Sequence, residues 1–356
     1  MKKMYLNGIG CISAQNTSDP LSWGAFVEDP TAVILPVIQP VYSDYIKPAA
    51  IRRMAKGVKN GSVAAAIALH QAGSGMPDAI ITGTGMGCME DSDKFLESII
   101  DNKEEFLTPT SFIQSTHNVV GGQIALGLQC NAYNFTYVNG AVSFESALLD
   151  AKLTFDEDQA SCILLGGVDK LSAHTAAVFK AAGYIKAVSE LPISVANLVT
   201  TGLVYGEGAT FFVAEDRITP TTYAQVMAVQ LWNRIETADV SRKAIAFLTS
   251  NSLTPSDVDA VILGINGDAA TDMYYQTMRE RPFENIPLVY YKHLCGEYNT
   301  ASAFGLYIGA NIVKHQNIPA GIQLNTAQKS TFRYVLLYNQ FKGTDHSFIL
   351  IANALL

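Results

Sequence analysis

The sequence predicts a mixed α/β protein of layered design, built from two similar halves within one compact unit. Short apolar strands alternate with Ala- and Gly-rich helical stretches, the alternation restarts near Thr221, and no low-complexity linker separates the two rounds. With 49% hydrophobic and 16% charged residues over 356 positions, the chain must bury a large surface, as a multilayered protein or an obligate oligomer with an apolar interface does. The halves are placed at 1–217 and 218–356, joined around Asp216 to Tyr223.

Taken in order, Tyr5 to Ile12 reads as a first strand running into a Gly-rich bend. Ile51 to Ala72 reads as one long helix with Arg52, Arg53, Lys56 and Lys59 on its first turns. Those four cations form either a solvated face or a docking surface for an acidic carrier protein. Ala79 to Thr82 is a strand running into TGTGMG; GxGxxG with its acidic residue and GxxxxGKS/T are both missing, which argues against nucleotide binding. Ser161 to Gly167 is a continuous apolar strand, and Thr201 to Asp216 a bend and then a strand. In the second round Tyr223 to Trp232, Ala260 to Ile265, Arg333 to Tyr338 and Ser347 to Ala352 are strands, and Ser302 to Lys314 is a helix.

The stretch that organises the chain is Ala132 to Leu153. Phe135 to Val138 reads as a short buried strand, Asn139-Gly140 as an abrupt turn, and Ala141 onward as a helix. Such an elbow aims one residue at the positive end of a helix dipole, where a thiolate or hydroxyl is activated and an oxyanion can be held by backbone N–H groups. The elbow residue is Gly140, which has no side chain. The frame of a covalent enzyme is present without its nucleophile.

A formal net charge of −8 argues against a nucleic-acid partner. The five cysteines show no metal-type spacing, are read as buried apolar thiols, and fit a reducing compartment better than a disulfide scaffold. The N-terminus shows no cleavable apolar region, and no window reaches about 18 uninterrupted apolar residues, so a cytoplasmic protein is expected, with no metal and no membrane partner.

Val204-Tyr205-Gly206-Glu207-Gly208-Ala209, followed by Val213 to Asp216, resembles the GEGA segment of β-ketoacyl-acyl carrier protein synthases of the thiolase-like superfamily. MYLNGIGCIS resembles the first strand and bend of that family, Asn118 to Leu126 its helix before the active-site strand, and Gly166-Gly167 its diglycine. Gly343-Thr344-Asp345 resembles the GTN turn before the last strand, and Phe341 the aromatic that gates the acyl pocket. The resemblance spans essentially the whole chain. It implies a thiolase-like, five-layered αβαβα fold, usually dimeric across an extended sheet. It also implies acyltransferase chemistry, a decarboxylative condensation in fatty acid or polyketide biosynthesis. Substrates ride on the phosphopantetheine of an acyl carrier protein, and no other cofactor is implied.

The family's cysteine and two histidines match Gly140, Asn266 and Glu297, while its lysine is retained as Lys292. Asparagine can donate to a carbonyl, whereas an ionised glutamate repels an enolate. Ser143, Ser146 and Cys295 are the candidate substitute nucleophiles, and His117 and His293 the candidate bases. The expected function is therefore that of a non-condensing pseudoenzyme, a chain-length-factor-like subunit partnering an active ketosynthase and an acyl carrier protein, in polyketide or aryl-polyene type biosynthesis. The alternatives are a divergent acyltransferase or decarboxylase acting on carrier- or coenzyme A-bound thioesters, and a non-catalytic carrier- or lipid-binding homodimer.

Overall fold

The computed structural model describes residues 2–19, 22–191, 199–280 and 282–355. The apolar runs become twelve strands: β1 Met4–Ile12, β2 Ile34–Leu35, β3 Ala79–Gly83, β4 Tyr133–Tyr137, β5 Cys162–Asp169 and β6 Tyr205–Gly206, then β7 Gly208–Glu215, β8 Ala224–Asn233, β9 Ala260–Leu263, β10 Leu288–Tyr290, β11 Tyr334–Phe341 and β12 Asp345–Ala352. β2 and β6 make a small parallel pair. The other ten form one sheet in the order β10-β9-β11-β12-β8-β1-β7-β5-β3-β4.

The ladder between β1 and β8 is short, pairing Met4–Leu6 with Ala224–Val226. On either side of it the pairing pattern repeats. β1-β7-β5-β3-β4 and β8-β12-β11-β9-β10 each run through two antiparallel and then two parallel ladders. The second round of the sequence is therefore a second copy of the first round's topology.

Strand side chains alternate between faces, so adjacent apolar residues enter different cores. Ile81, Leu165 and Phe212 point to the same core as Ile262, Leu337 and Ile351, and between them lie the Ser143–Asp156 and Ala301–His315 helices. Ile80, Leu164 and Val213 face the Lys56–Ala72 and Val119–Leu128 helices on one outer side. Val261, Leu336 and Leu350 face the Val240–Ser250 helix on the other. The result is five layers: helix, sheet, helix, sheet, helix. The Ala301–His315 helix is buried at every position from Ala301 to Val313, as a helix apolar on all sides must be.

Two sequence expectations are corrected. The helix read from Ile51 to Ala72 is two helices, Pro48–Ile51 and Lys56–Ala72, because the Ala55 N–H donates to Gln114 Oε1 (3.2 Å) where an unbroken helix would use it internally. The strand read as buried at Phe135 to Val138 is the outermost strand β4. It has a neighbour on one side only, so Tyr133 is 48% and Phe135 45% exposed.

Packing between β1 and the outer helix sets a steric limit. A Cβ on Gly10 would lie 1.9 Å from the Ala64 carbonyl oxygen, so the Lys56–Ala72 helix approaches β1 as closely as backbone allows. Gly10→Ala is expected to lower the urea unfolding midpoint by the equivalent of about 1–3 kcal/mol. Gly122→Ala, on an exposed helical position where a Cβ meets nothing within 4 Å, is expected to leave the midpoint unchanged or raise it.

Candidate functional site

The elbow forms as the sequence implies. β4 ends at Tyr137, Gly140 enters the left-handed region at φ +55°, a 3-10 turn spans Gly140–Val142, and the Ser143–Asp156 helix follows. A Cβ on Gly140 would meet nothing within 4 Å, so the position has room for a side chain. Neither nearby hydroxyl is free to replace it. Ser143 Oγ accepts from the Asn139 N–H (2.8 Å) and donates to the Gly140 carbonyl (2.7 Å). Ser146 Oγ accepts from Asn139 Nδ2 (3.0 Å) and donates to the Val142 carbonyl (2.8 Å). Both serve as caps of the turn and helix.

The other two positions singled out by the resemblance meet in one buried cluster. Asn266 follows β9 and Glu297 follows the short Lys292–Cys295 helix beyond β10, and the retained Lys292 opens that helix. Glu297 Oε2 accepts from Lys292 Nζ (2.7 Å) and from Asn266 Nδ2 (2.7 Å). Lys292 is 1% and Glu297 2% exposed, so the ion pair is shielded from water. Asn266 Oδ1 accepts from the Asp268 N–H (3.3 Å), which engages the other end of the amide. The repulsion expected of Glu297 is thus offset by Lys292, and the Asn266 amide is engaged at both ends, by Glu297 and by the Asp268 N–H.

Two further carboxyls flank the cluster. Asp272 accepts from the Asn266 and Gly267 N–H groups, and burial pushes its pKa up to about 7. Glu145, on the first turn of the elbow helix, accepts from Ser347 Oγ of β12 (2.7 Å), and burial raises its pKa as well, countered in part by Lys292.

The remaining candidates are occupied elsewhere. Cys295 is fully buried, which raises its thiol well above the ordinary value and keeps it from acting as a thiolate. His293 stacks on Tyr290, contacts the Gly321 carbonyl through Nε2 (3.0 Å), and is pushed down to about 4 by burial. His117 is exposed and packs beside Gly87. The Gly-rich loop after β3 wraps a carboxylate of the chain itself: Asp169 accepts from Thr84 Oγ1 and the Gly85 and Met86 N–H groups, and also from the Thr300 N–H and Oγ1. Sequence reasoning did not single out Asp169, since a lone aspartate ending an apolar strand carries no motif.

Glu297 forms part of the wall of a cavity of about 190 Å3. Met86, Leu171, Phe179, Tyr205 and Phe341 supply its apolar lining. Asp169, Lys170, Tyr298, Asn299 and Lys342 are its further polar members, and Gly140 does not line it. Phe341 thus stands in a cavity wall, whereas Gly343 (φ +67°) and Thr344 shape the turn behind it. The Gly343 N–H donates to Gln340 Oε1, and Thr344 Oγ1 donates to the Phe341 carbonyl.

Of the basic residues, Arg52 and Arg53 are exposed in the break between the two helices. Lys56 lies 3.8 Å from Glu90 and Lys59 sits over the Tyr42 ring. Arg53 and Met54 border an open groove with Ile113 and Leu126. Among the described residues no cluster of potential metal ligands occurs, and no helix is long and apolar enough to cross a membrane.

No protein-family model matches the chain, and no curated protein matches its sequence. Solved structures do. The ishigamide ketosynthase/chain length factor superposes with a TM-score of 0.79 at 19% identity, covering 99% of both chains. A beta-ketoacyl synthase from Burkholderia phymatum STM815 gives 0.78 at 17% identity, again covering 99% of both chains. A ketosynthase in complex with its chain length factor from Xenorhabdus doucetiae gives 0.73 at 14% identity, covering 99% of this chain and 98% of that one. The chain therefore has the thiolase-like fold of the ketosynthases over its full described length.

Breaking one side of the buried ion pair leaves an uncompensated charge. Glu297→Leu is expected to cost about 3–5 kcal/mol, while the double variant Lys292→Met, Glu297→Leu recovers most of it. Denaturant unfolding of the two variants checks this; equal destabilisation by both contradicts the pairing.

Proposed function

We propose that this chain is a non-condensing ketosynthase-like subunit, of the chain-length-factor type, that pairs with an active ketosynthase in an assembly working on carrier-bound acyl thioesters. One observation carries the reading. At the three positions where the resemblance puts a nucleophile and two imidazoles, the chain has Gly140, Asn266 and Glu297, and the last two hydrogen-bond to each other beside Lys292. Condensation needs a thiolate to accept the acyl chain and neutral or cationic donors to hold an enolate oxygen. Gly140 offers no thiolate, and the donors Asn266 and Lys292 both face Glu297. A decarboxylase using Asn266 as its oxyanion donor is disfavoured by the same bond, because the Asn266 amide already faces a carboxylate.

The surface around β4 supports a partner subunit. β4 leaves one edge unpaired and its Tyr133 and Phe135 are exposed, as are Leu126 on one adjoining helix and Leu149 and Leu153 on the other. An unpaired strand beside an apolar face of this kind is covered in a soluble assembly. The similar structures named above include a ketosynthase solved with its chain length factor and a ketosynthase/chain length factor pair. Polyketide or aryl-polyene type biosynthesis in the cytoplasm is the setting in which we place the assembly.

The test is to incubate the purified protein, alone and coexpressed with an active ketosynthase, with acyl- and malonyl-carrier proteins, and to follow acyl-enzyme, carbon dioxide and product length by mass spectrometry. The protein alone is expected to form no adduct and release no carbon dioxide, and to change the length of its partner's product. An adduct on the lone chain overturns the reading. Gly140→Cys is expected to fold, since the Cβ has room and the left-handed φ costs only about 1–2 kcal/mol, yet to remain inactive in condensation; full activity in this single variant refutes the three-position argument. If Arg52 and Arg53 dock an acidic carrier, Arg52→Glu with Arg53→Glu lowers carrier affinity several-fold at low salt and less at high salt. Unchanged affinity returns them to a solvated face.

A further inference from the structure

The chain carries its formal charge unevenly. From Glu90 to Phe106 seven carboxylates stand against two lysines, a net −5 within a chain of −8. The stretch is a helix, Met89–Asp101, followed by a tight loop in which Lys103 (φ +51°), Glu104 (φ +69°) and Phe106 (φ +54°) are left-handed. The Lys103, Glu104 and Glu105 N–H groups donate back to the Ile100, Ile99 and Asn102 carbonyls (3.2, 2.9 and 2.9 Å) and hold the loop in that form. A strained backbone fixed in this way keeps the Phe106 ring 93% exposed. Leu96 and Ile100, one helical turn apart on the helix before it, are exposed as well. Glu97, Asp101, Glu104 and Glu105 are exposed and have no ion-pair partner among the described residues. The result is an apolar knob rimmed by carboxylates.

Its complement lies on the same chain. The Pro109–Ser115 helix returns against the Met89–Asp101 helix, with the Phe112 ring 5.2 Å from that of Phe95. Its Ile113 lines an open cavity of about 540 Å3 together with Ala50, Met54 and Leu126. A second cavity of about 370 Å3 shares those last three residues and extends the groove. Among the described residues the charged groups lining the two are Arg53 and Lys47, both exposed, and the neighbouring Arg52 is exposed too. None of the three cations has an ion-pair partner among the described residues. In an acidic chain, an apolar groove bordered only by cations thus matches an apolar knob of net negative charge. The two do not meet within one chain, where Phe106 stays in water. Leu126 also belongs to the apolar surface beside β4, but no residue of β4 lines the groove.

We propose that a second copy of this chain fills the groove, the Phe106 knob of one copy seating against Ala50, Met54 and Ile113 of the other while Glu104 and Glu105 meet Arg52 and Arg53. Apolar burial supplies the affinity and the charges set the register. Because the Pro109–Ser115 helix joins knob to groove on each copy, a two-fold axis beside it forms both contacts at once and closes the pair as a dimer. This contact is independent of the pairing with a ketosynthase. It uses the same two arginines that an acidic carrier would use, so copy and carrier compete for them.

The test is sedimentation velocity of the full chain over a range of concentrations, at low and high salt. It compares the wild type with Phe106→Ser and with two charge reversals, Glu104→Arg with Glu105→Arg, and Arg52→Glu with Arg53→Glu. Every replaced side chain is exposed, so the fold is retained. The wild type is expected in a monomer–dimer equilibrium that weakens several-fold with salt. Phe106→Ser raises the dissociation constant about tenfold or more, since the dimer contains the contact twice. Each reversal alone leaves a monomer, because knob and groove then share one sign. Mixing the two reversed chains restores the dimer to within about threefold of wild-type affinity, since each offers a knob opposite in charge to the other's groove. A wild type that stays monomeric overturns the proposal. A dimer indifferent to Phe106→Ser and to both reversals places the association on another surface and overturns it too. Loss in both reversals without recovery on mixing overturns the pairing of knob with groove. None of these outcomes bears on the ketosynthase partner, whose readout is product length.

Discussion

A single buried ammonium sets the terms of this site. Lys292 is 1% exposed and lies within the influence of three carboxyls, Glu297, Glu145 and Asp272. One cation in a region shielded from water can directly satisfy one carboxylate. Glu297 takes that place at 2.7 Å, and the other two are pushed by burial toward their neutral forms. Glu145 then holds Ser347 of β12, and Asp272 holds the backbone of the Asn266 turn, so the elbow helix, the last strand and the turn after β9 are tied to the same centre. Asn266 and Lys292 are both bonded to Glu297.

The duplicated topology explains why these residues can meet at all. β3 and β9 occupy equivalent places in the two half-sheets, and so do β4 and β10. The loops that leave their C-terminal ends carry the Gly-rich turn around Asp169, the Asn266 turn, the elbow and the Lys292 helix. Ligand sites of open α/β sheets gather at these ends because the crossovers leave a crevice there. The middle helices Ser143–Asp156 and Ala301–His315 come from different halves and pack on each other's sheet, which brings the two sets of loops to one place.

Much of the fold was legible in the sequence because its strands are continuous apolar runs. β1, β3, β5, β7, β9, β11 and β12 lie within a few residues of the stretches that read as strands. β10 was not, since three residues give no periodicity, and the break before Lys56 was not, since a distant side chain, Gln114, makes it. β4 was located but assigned the wrong environment. An aromatic strand looks the same whether a sheet or a second subunit covers it, and only the order of strands separates the two cases. In the site, Gly140, Asn266 and Glu297 were singled out from motif order, and the structure brings the last two together. Their hydrogen bond could not be read, because Asn266 and Glu297 are 31 positions apart and belong to different loops. Phe106 escaped notice for a similar reason: a phenylalanine after two glutamates reads as an ordinary apolar residue until its φ and its exposure are known.

The elbow also shows how such a turn can hold its shape without a reactive side chain. Gly140 keeps the left-handed φ and the open space of a nucleophile position, and Ser143 and Ser146 hold the turn with bonds that do not depend on any reactive side chain. The turn stabilises itself, so a nucleophile can be lost without disturbing β4 or the helix that follows. What stays under constraint is the surface those elements present. Tyr133 and Phe135 lie 6.1 Å apart with nearly parallel rings along an unpaired edge, where they form an exposed apolar ladder. On the function proposed above, what this edge offers a partner depends on its shape and not on a thiol.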